Sequence, residues 1–226
     1  MLTKTDSILL SSRLPFWDHL SSEQKDYLTA NTKLMHFSKG QAFNSGGDDC
    51  GGILLLLRGM LRAYIISDEG REVSLYRLES GDACTLSAAC IMQTIDFDIF
   101  ISSEAETDVL LISTAAFSRI SAENIHAELF CYKTATERFS DVMWTIQQIL
   151  FTSFDKRLAA FLLEETAKSG NPTIHMTHEQ IARYLGSARE VVSRMLKYFS
   201  GEGYVALSRG GITVTDEKRL RKVLNH

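Results

Sequence analysis

No hydrophobic run in the sequence is long enough to cross a membrane, since runs such as Ile53–Leu57 are only a fraction of a membrane span. The N-terminus lacks a basic region followed by a long apolar stretch, so we expect no secretory signal peptide. Cysteine is scarce and irregularly spaced, which argues against a disulfide framework. The four cysteines are Cys50, Cys84, Cys90 and Cys131. These absences predict a protein of the cytoplasm with no membrane partner.

Negative charge predominates over the chain as a whole but not over its C-terminal end. The formal net charge is −4. Residues 171–226 contain nine Lys and Arg against five Asp and Glu, whereas residues 1–170 contain fifteen against twenty-three. An acidic body with a basic C-terminal end predicts a polyanionic partner for that end alone.

Short apolar segments separated by turn signals fill residues 35–114, after a predicted short helix around Ser21–Thr29. The turn signals include SKG, SGGDD, SDEG and ESGD. One predicted hairpin turns at Asp68–Gly70, and apolar and polar residues alternate over Ile95–Ile101. Short strands at this spacing predict a small antiparallel barrel or jelly roll.

A long helix is predicted next, because no Gly or Pro interrupts Ala127–Phe154. Apolar residues recur in it at alternating spacings of three and four, which predicts the seam of a parallel homodimer. These residues are Tyr132, Ala135, Phe139, Val142, Ile146 and Ile149. The alternative is a helix buried against its own barrel. A second heptad-spaced line that would make that contact comprises Leu129, Thr136, Met143 and Leu150.

Two short helices joined through Gly186 form a predicted helix-turn-helix. The first is marked by a capping box of Thr177 with Gln180, and the second by a capping box of Ser187 with Glu190. A helix near residues 156–167 precedes this motif. A hairpin turning at residues 209–211 follows it as a wing, and residues 216–224 form a predicted short basic helix.

Four polar side chains share an arc of about 140° on the second helix of this motif. They are Arg189, Glu190, Ser193 and Arg194. In a helix-turn-helix this end of the second helix contacts base edges, where Arg pairs with guanine and Glu accepts from the cytosine amino group. The alternatives are a merely solvated face and, for Glu190, a capping role. Phosphate contacts are predicted for Thr177, Ser187, Lys197 and Arg209.

An antiparallel roll, a long dimer helix and a C-terminal winged helix-turn-helix, in that order, resemble the Crp/Fnr transcription regulators. The segments that carry the resemblance are LLRGMLRAYIISDEGREVSLYRLESGD and SAREVVSRMLKYFSGEGYV. The resemblance covers nearly the whole chain and implies an α+β fold. Residues 1–123 would form a β-roll like a cyclic-nucleotide-binding domain, residues 124–154 a dimerisation helix, and residues 155–226 a winged helix-turn-helix.

The resemblance also implies partners and a type of DNA site. In the family, positions matching Arg189, Glu190, Ser193 and Arg194 contact the half-site. Arg189 resembles the catabolite-activator branch, whereas Ser193 with Arg194 resembles the fumarate–nitrate branch. We therefore expect a homodimer that binds double-stranded DNA at a near-palindromic site with a TGA-like half-site core. RNA polymerase is a further expected partner.

The chain departs from the family at both of its familiar sensor sites. The Gly-Glu and Arg-Ser pairs that hold a cyclic nucleotide fall near Thr85, Leu86, Phe97 and Asp98, where a phosphate would lack its arginine and meet a carboxylate. We therefore do not expect cyclic AMP as the effector. The N-terminal cysteine cluster of the oxygen-sensing branch is missing, because no cysteine precedes Cys50. An N-terminal iron–sulfur cluster is not expected, and the effector is left unidentified.

Two cysteines stand beside the place where an effector pocket is expected. The candidate pocket residues are Cys84, Leu86, Cys90, Phe97 and Asp98. Cys84 and Cys90 are six residues apart and would sense oxidants or ligate a metal or haem iron. Alternatively, both are small hydrophobic residues of the core. The histidines show no metal-ligand grouping.

Two other functions compete with DNA binding. A barrel enzyme of the cupin kind needs histidines separated by one residue, and the chain has no His-x-His, Gly-rich phosphate loop or nucleophile–base set. An interaction protein with a vestigial helix-turn-helix is the other alternative. We predict a DNA-binding regulator without enzymatic activity.

Overall fold

The computed structural model describes residues 4–45, 52–84 and 99–225. Contacts divide the chain into two compact units. The N-terminal unit comprises Met1–Ile65 and Leu75–Val142, and the C-terminal unit comprises Ile66–Ser74 and Met143–His226.

Helices open and close the N-terminal unit. They are α1 (Lys4–Arg13), a 3₁₀ turn (Trp17–His19), α2 (Ser22–Ala30), α3 (Thr114–Glu123) and α4 (Ile125–Phe151), whose last residues belong to the C-terminal unit. The predicted helix around Ser21–Thr29 is confirmed as α2, and Ser21 caps it by accepting from the Gln24 backbone N–H at 3.2 Å. α1 and α3, each ten residues long, were not predicted.

Eight strands of the described residues form two four-stranded sheets. They are β1 (Thr32–Phe37), β2 (Ala42–Ser45), β3 (Ile53–Arg58), β4 (Leu61–Ile66), β5 (Glu72–Leu78), β6 (Ala83–Cys84), β7 (Ile99–Ser103) and β8 (Thr107–Ile112). The sheet orders are β1-β8-β3-β6 and β2-β7-β4-β5. The pairs β1–β8, β3–β8, β3–β6, β2–β7 and β4–β7 are antiparallel. This arrangement is the predicted antiparallel roll.

Strand β3 contains the apolar run Ile53–Leu57 and is buried on both faces. Ile53 and Leu55 pack with the helices in one core, whereas Leu54 and Leu56 pack with residues of the second sheet in another. A strand covered on both sides needs apolar residues at every position rather than at alternate ones.

The turn signals SKG, SDEG and ESGD fall between strands as predicted, whereas residues 46–49 of SGGDD lie outside the described residues. The residues Asp68–Gly70 connect β4 to β5, and the Gly70 N–H donates to the Ser67 carbonyl at 2.8 Å. Gly59, between β3 and β4, has a φ of +92°, and a Cβ there would lie 2.4 Å from Thr107 Oγ1. Only glycine fits this turn. Apolar and polar residues alternate over Ile95–Ile101 in the sequence. Residues 95–98 of this segment lie outside the described residues, and β7 begins at Ile99.

The C-terminal unit is built around one core of its own. Its elements are α5 (Phe154–Ser169), β9 (Thr173–Ile174), α6 (His178–Tyr184), α7 (Arg189–Gly201), β10 (Val205–Ser208), β11 (Gly211–Val214) and α8 (Glu217–Val223). Leu162, Ile181, Val192, Phe199 and Leu220 come from four different helices and pack together. The predicted helix near residues 156–167, the wing hairpin and the last short helix are confirmed as α5, β10–β11 and α8.

The predicted α+β class is therefore confirmed, with an antiparallel roll followed by a long helix and a winged helix-turn-helix. Among the helices of the described residues, none has both the length and the apolar character needed to span a membrane.

Candidate nucleic-acid interface

The first helix of the helix-turn-helix, α6, begins at the capping box that the sequence predicted. The Thr177 hydroxyl accepts from the Gln180 backbone N–H at 3.1 Å, and the Gln180 side-chain oxygen accepts from the Thr177 N–H at 2.8 Å. Both bonds satisfy backbone donors that the helix itself leaves unpaired. The box fixes the start of α6, and Thr177 itself is exposed.

The turn between α6 and α7 depends on Gly186. Its φ is +57°, in the left-handed region, and a Cβ there would lie 3.1 Å from the Ile149 side chain and 3.3 Å from the Val73 side chain. Any larger residue would be strained both by its backbone conformation and by these two neighbours. The turn is therefore tightly packed as well as tightly bent.

Three carbonyl groups at the end of α6 are held by side chains from outside the motif. Ser74 donates to the Arg183 carbonyl at 3.1 Å, and Arg157 donates to the Leu185 carbonyl at 2.5 Å. Arg71 donates to the Gly186 carbonyl at 2.7 Å. Carbonyls at a helix C-terminus carry partial negative charge, so guanidinium donors suit them. Burial and the nearby charge of Arg71 lower the pKa of Arg157.

The second helix, α7, begins one residue later than the predicted second capping box requires. Its N-cap is Ala188, and within the described residues no side chain caps it. The predicted pair of Ser187 with Glu190 is therefore wrong as a capping box, because Glu190 occupies the second helical position rather than the third. Ser187 is instead half-buried in the turn, where its N–H donates to the Ala182 carbonyl at 2.9 Å. The Glu190 carboxylate is left on the surface.

One face of α7 is buried and the opposite face is largely exposed. Val192, Leu196 and Phe199 are fully buried in the core of the unit. The polar arc carries Arg189, Glu190 and Arg194 in exposed positions, with Ser193 half-buried among them. A helix anchored by three large apolar side chains holds the opposite arc in a fixed orientation toward solvent.

Positive charge is concentrated beside this arc, at the start of α6. Burial lowers the pKa of His178, and the charges of Arg189 and Lys197 lower it further. Two of the three cations of α7, Arg189 and Lys197, therefore act on the first residue of α6. His178 was not among the predicted site residues, although it directly follows the cap Thr177 in the sequence.

The remaining candidate phosphate contacts lie at the edges of the same motif. Lys197 is exposed on α7, and Arg209 is exposed in the wing turn between β10 and β11. Thr177 and Ser187 lie at the two helix starts, one exposed and the other half-buried. Apolar anchors, an exposed basic helix and a wing define a winged helix-turn-helix DNA-binding protein.

The long helix α4 exposes an unusual number of large apolar side chains. Of the predicted seam, Tyr132 and Phe139 are 61% and 63% exposed, and Ile146 is also exposed. The other three seam residues, Ala135, Val142 and Ile149, are half-buried by their own chain. Val142 packs on the core between the two sheets, and Ile149 lies against Gly186.

The line of α4 that was assigned to the barrel is exposed instead. Leu129, Met143 and Leu150 are exposed, and so is Thr136. The barrel contact is made by Ala127, Cys131 and Thr134, which are buried. This expectation was wrong because both apolar lines have the same heptad spacing. The sequence alone therefore does not show which of them packs against the roll.

Only one residue of the candidate effector pocket lies in the described part of the chain. Cys84 on β6 is fully buried in the core between the sheets, with its Sγ 3.8 Å from the Tyr76 hydroxyl oxygen. Burial raises the pKa of Tyr76 well above its ordinary value. Leu86, Cys90, Phe97 and Asp98 lie outside the described residues. Among described residues, no group of three or more His, Cys, Asp and Glu is placed to hold a metal.

Known proteins share both the motif and the whole fold. A family model for the Crp-like helix-turn-helix domain matches residues 156–223. The solved structure of a chain described as a transcriptional regulator of the Crp/Fnr family from Eubacterium rectale is 45% identical, with a TM-score of 0.91. That similarity covers 95% of this chain and 100% of the other.

Curated relatives are more distant and are also regulators. The transcriptional regulator SdrP of Thermus thermophilus is 26% identical over 74% of this chain and 81% of its own length. The cAMP-activated global transcriptional regulator Vfr of Pseudomonas aeruginosa is 23% identical over 80% of this chain and 88% of its own length. The chain belongs to the Crp/Fnr family and is a DNA-binding transcription regulator rather than an enzyme.

Proposed function

We propose that the protein acts as a homodimer on a near-palindromic DNA site with a TGA-like half-site core. The observation that carries this proposal is the polar arc of α7, which offers Arg189, Glu190, Ser193 and Arg194 opposite a fully buried face. Thr177, Ser187, Lys197 and Arg209 would contact phosphates around it. Glu190 is available for base contact because it takes no part in capping α7.

The proposed dimer seam follows the exposed apolar side chains of α4. Tyr132, Phe139 and Ile146 form one heptad line of it, as predicted. The second line of this seam is Leu129, Thr136, Met143 and Leu150 rather than Ala135, Val142 and Ile149. Large apolar side chains that remain exposed over several heptads favour a second copy of the same helix.

The proposed effector is a small molecule other than cyclic AMP. Vfr is described as cAMP-activated, but by the family resemblance the phosphate- and ribose-binding pairs would fall near Thr85, Leu86, Phe97 and Asp98, which lie outside the described residues. A cyclic phosphate would meet Asp98 in place of an arginine. Cys84 and Cys90 have two alternative roles, in sensing or only in packing of the core. The burial of Cys84 favours packing. The proposed location is the cytoplasm. RNA polymerase is the proposed second macromolecular partner, besides DNA.

The test is the affinity for a specific DNA site after removal of one guanidinium. Arg194→Ala should weaken specific binding by about 1–3 kcal/mol and leave non-specific binding much less affected. Lys168→Ala is the control, since Lys168 lies at the far end of α5 and pairs with Glu164 at 2.9 Å. Unchanged specific affinity in Arg194→Ala would favour the vestigial helix-turn-helix.

A further inference from the structure

A cavity of about 430 Å³ lies in the N-terminal unit beside α4. It is bounded by the end of α1, residues 15–19, the turn at residues 81–83 and the first half of α4. This volume is in the range of small-molecule binding sites. Cys84, the one candidate pocket residue within the described part of the chain, does not line it.

One wall of the cavity is apolar and partly aromatic. Phe16 and Phe130 line it with their ring centroids 5.4 Å apart, and Leu129 and Pro15 extend the same surface. His19 and His126 line it as a stacked pair, with ring centroids 3.8 Å apart and planes 11° apart. Flat faces of this kind favour a ligand with a planar or apolar body.

The other walls carry more available positive than negative charge. Arg13, Lys133 and Arg138 line the cavity, as do Asp82 and Glu137. The Asp82 carboxylate already accepts from the Glu79 backbone N–H at 2.7 Å, and Glu137 lies 4.0 Å from Arg138. Within the described residues, neither Arg13 nor Lys133 has a carboxylate at ion-pair distance. Two cations are therefore left for an anionic ligand.

Arg138 adds a largely buried hydrogen-bond donor to the lining of the cavity. Its side chain is only 11% exposed, and one end of its guanidinium pairs with Asp141 at 3.0 Å. The Nε atom is buried and has no hydrogen-bond partner among the described residues. Buried donors without partners are uncommon in folded proteins. An anionic group in the cavity would be attracted to the net positive charge of this wall.

We propose that this cavity binds an organic anion, a carboxylate carried on a planar or apolar body. Arg13 and Lys133 would bind the carboxylate, and the wall of Phe16, Leu129 and Phe130 would bind the body. Leu129 also belongs to the proposed dimer seam, so a ligand here would touch a residue of that seam. A regulatory role for the ligand rests on the proposed function, because it requires the dimer. Binding of the ligand to the cavity does not.

The test uses the full-length protein without DNA and naphthoate as the probe, with calorimetric titration as the readout. Naphthoate should bind saturably, and its uncharged amide and inorganic phosphate should each bind at least about tenfold more weakly. The double variant Arg13→Gln with Lys133→Gln should weaken naphthoate binding by about tenfold or more. Lys33→Gln is the matched control, because Lys33 is exposed on β1 and does not line the cavity.

Four results would overturn the proposal: no saturable binding of naphthoate, equal binding of the amide, equal binding of phosphate, or an unaffected double variant. Thermal unfolding of each variant shows whether it is folded. Lys133→Gln alone replaces the double variant if the latter does not fold, since Lys133 is exposed on a helix. Specific DNA binding is measured on the same preparations. If the unaltered protein binds DNA specifically but does not bind naphthoate, the cavity proposal is overturned and the proposed function stands.

Discussion

At the scale of single residues, a cluster of charges links β1 to β8. His36 on β1 contacts Asp108 through Nδ1 at 2.7 Å and Glu106 through Nε2 at 2.9 Å. Arg58 also contacts Asp108. The hydrogen bonds to Asp108 and Glu106 raise the pKa of His36 above its ordinary 6.5. The Lys39 backbone N–H and His36 lower the pKa of Glu106, and His36 lowers that of Asp108.

This cluster predicts a pH-dependent contribution to stability. Because the folded pKa of His36 is raised, its contribution is present below the unfolded value of about 6.5 and is lost as pH rises through the folded value. His36→Gln should therefore lower the melting temperature more at about pH 6 than at about pH 8. His175→Gln is the control, in an exposed position of the other unit. Equal destabilisation by His36→Gln at both pH values would contradict the assignment.

The predictions for individual residues succeeded where a local pattern decides the structure. The capping box of Thr177 and the left-handed Gly186 follow from residue types at fixed spacing. The box of Ser187 with Glu190 fitted the same pattern and does not form, because α7 begins at Arg189. The tight turn after Gly186 delays the helix start by one residue, and tertiary packing of that turn is not visible in local sequence.

At the scale of elements, α4 makes the sharpest prediction. Phe139 is 63% exposed in the middle of the proposed seam, where a dimer would bury it. Phe139→Glu should convert the protein to a monomer, because an unpaired carboxylate at a buried seam position costs several kcal/mol. Light scattering after gel filtration measures the mass directly.

A matched control lies on the same helix. Trp144 is 61% exposed, but it is about 140° from Phe139 around the helix axis. Trp144→Glu introduces the same charge in place of a large aromatic residue and should leave a dimer. A dimer of Phe139→Glu, or a monomer of Trp144→Glu, would place the interface elsewhere.

The turn of the helix-turn-helix gives a second prediction for an element. Arg71→Ala removes the donor to the Gly186 carbonyl. It should destabilise the C-terminal unit by about 0.5–1.5 kcal/mol, because the bond is exposed and therefore partly replaced by water. Glu69→Ala, an exposed position of the same hairpin, is the control. Thermal unfolding of both variants measures the difference, and equal melting temperatures would show that Arg71 does not hold the turn.

Elements with a long or strongly marked pattern could be predicted, and their orientation could not. The uninterrupted stretch from Ala127 onward predicted α4, and turn signals predicted the hairpins of the roll and the wing. Which side of α4 faces the roll depends on Ala127, Cys131 and Thr134. These residues are small or polar, so they gave no periodic apolar signal, although close packing favours small side chains there.

At the scale of the whole molecule, the C-terminal end of the chain is basic and the rest is acidic. The basic excess of residues 171–226 lies in the region matched by the Crp-like helix-turn-helix model. The cavity beside α4 could not be predicted, because it joins Arg13, Gly81 and Lys133 from three distant parts of the chain. Sites of that kind are created by tertiary structure alone.

The central claim is that two copies of α7 contact two related half-sites. Selection of bound sequences from random double-stranded DNA by the full-length protein tests it most directly. The expected result is an inverted repeat with a TGA-like core in each half and half-site centres about 34 Å apart, or one turn of the double helix. Enrichment of a single unrepeated half-site, or of no sequence at all, would contradict the claim.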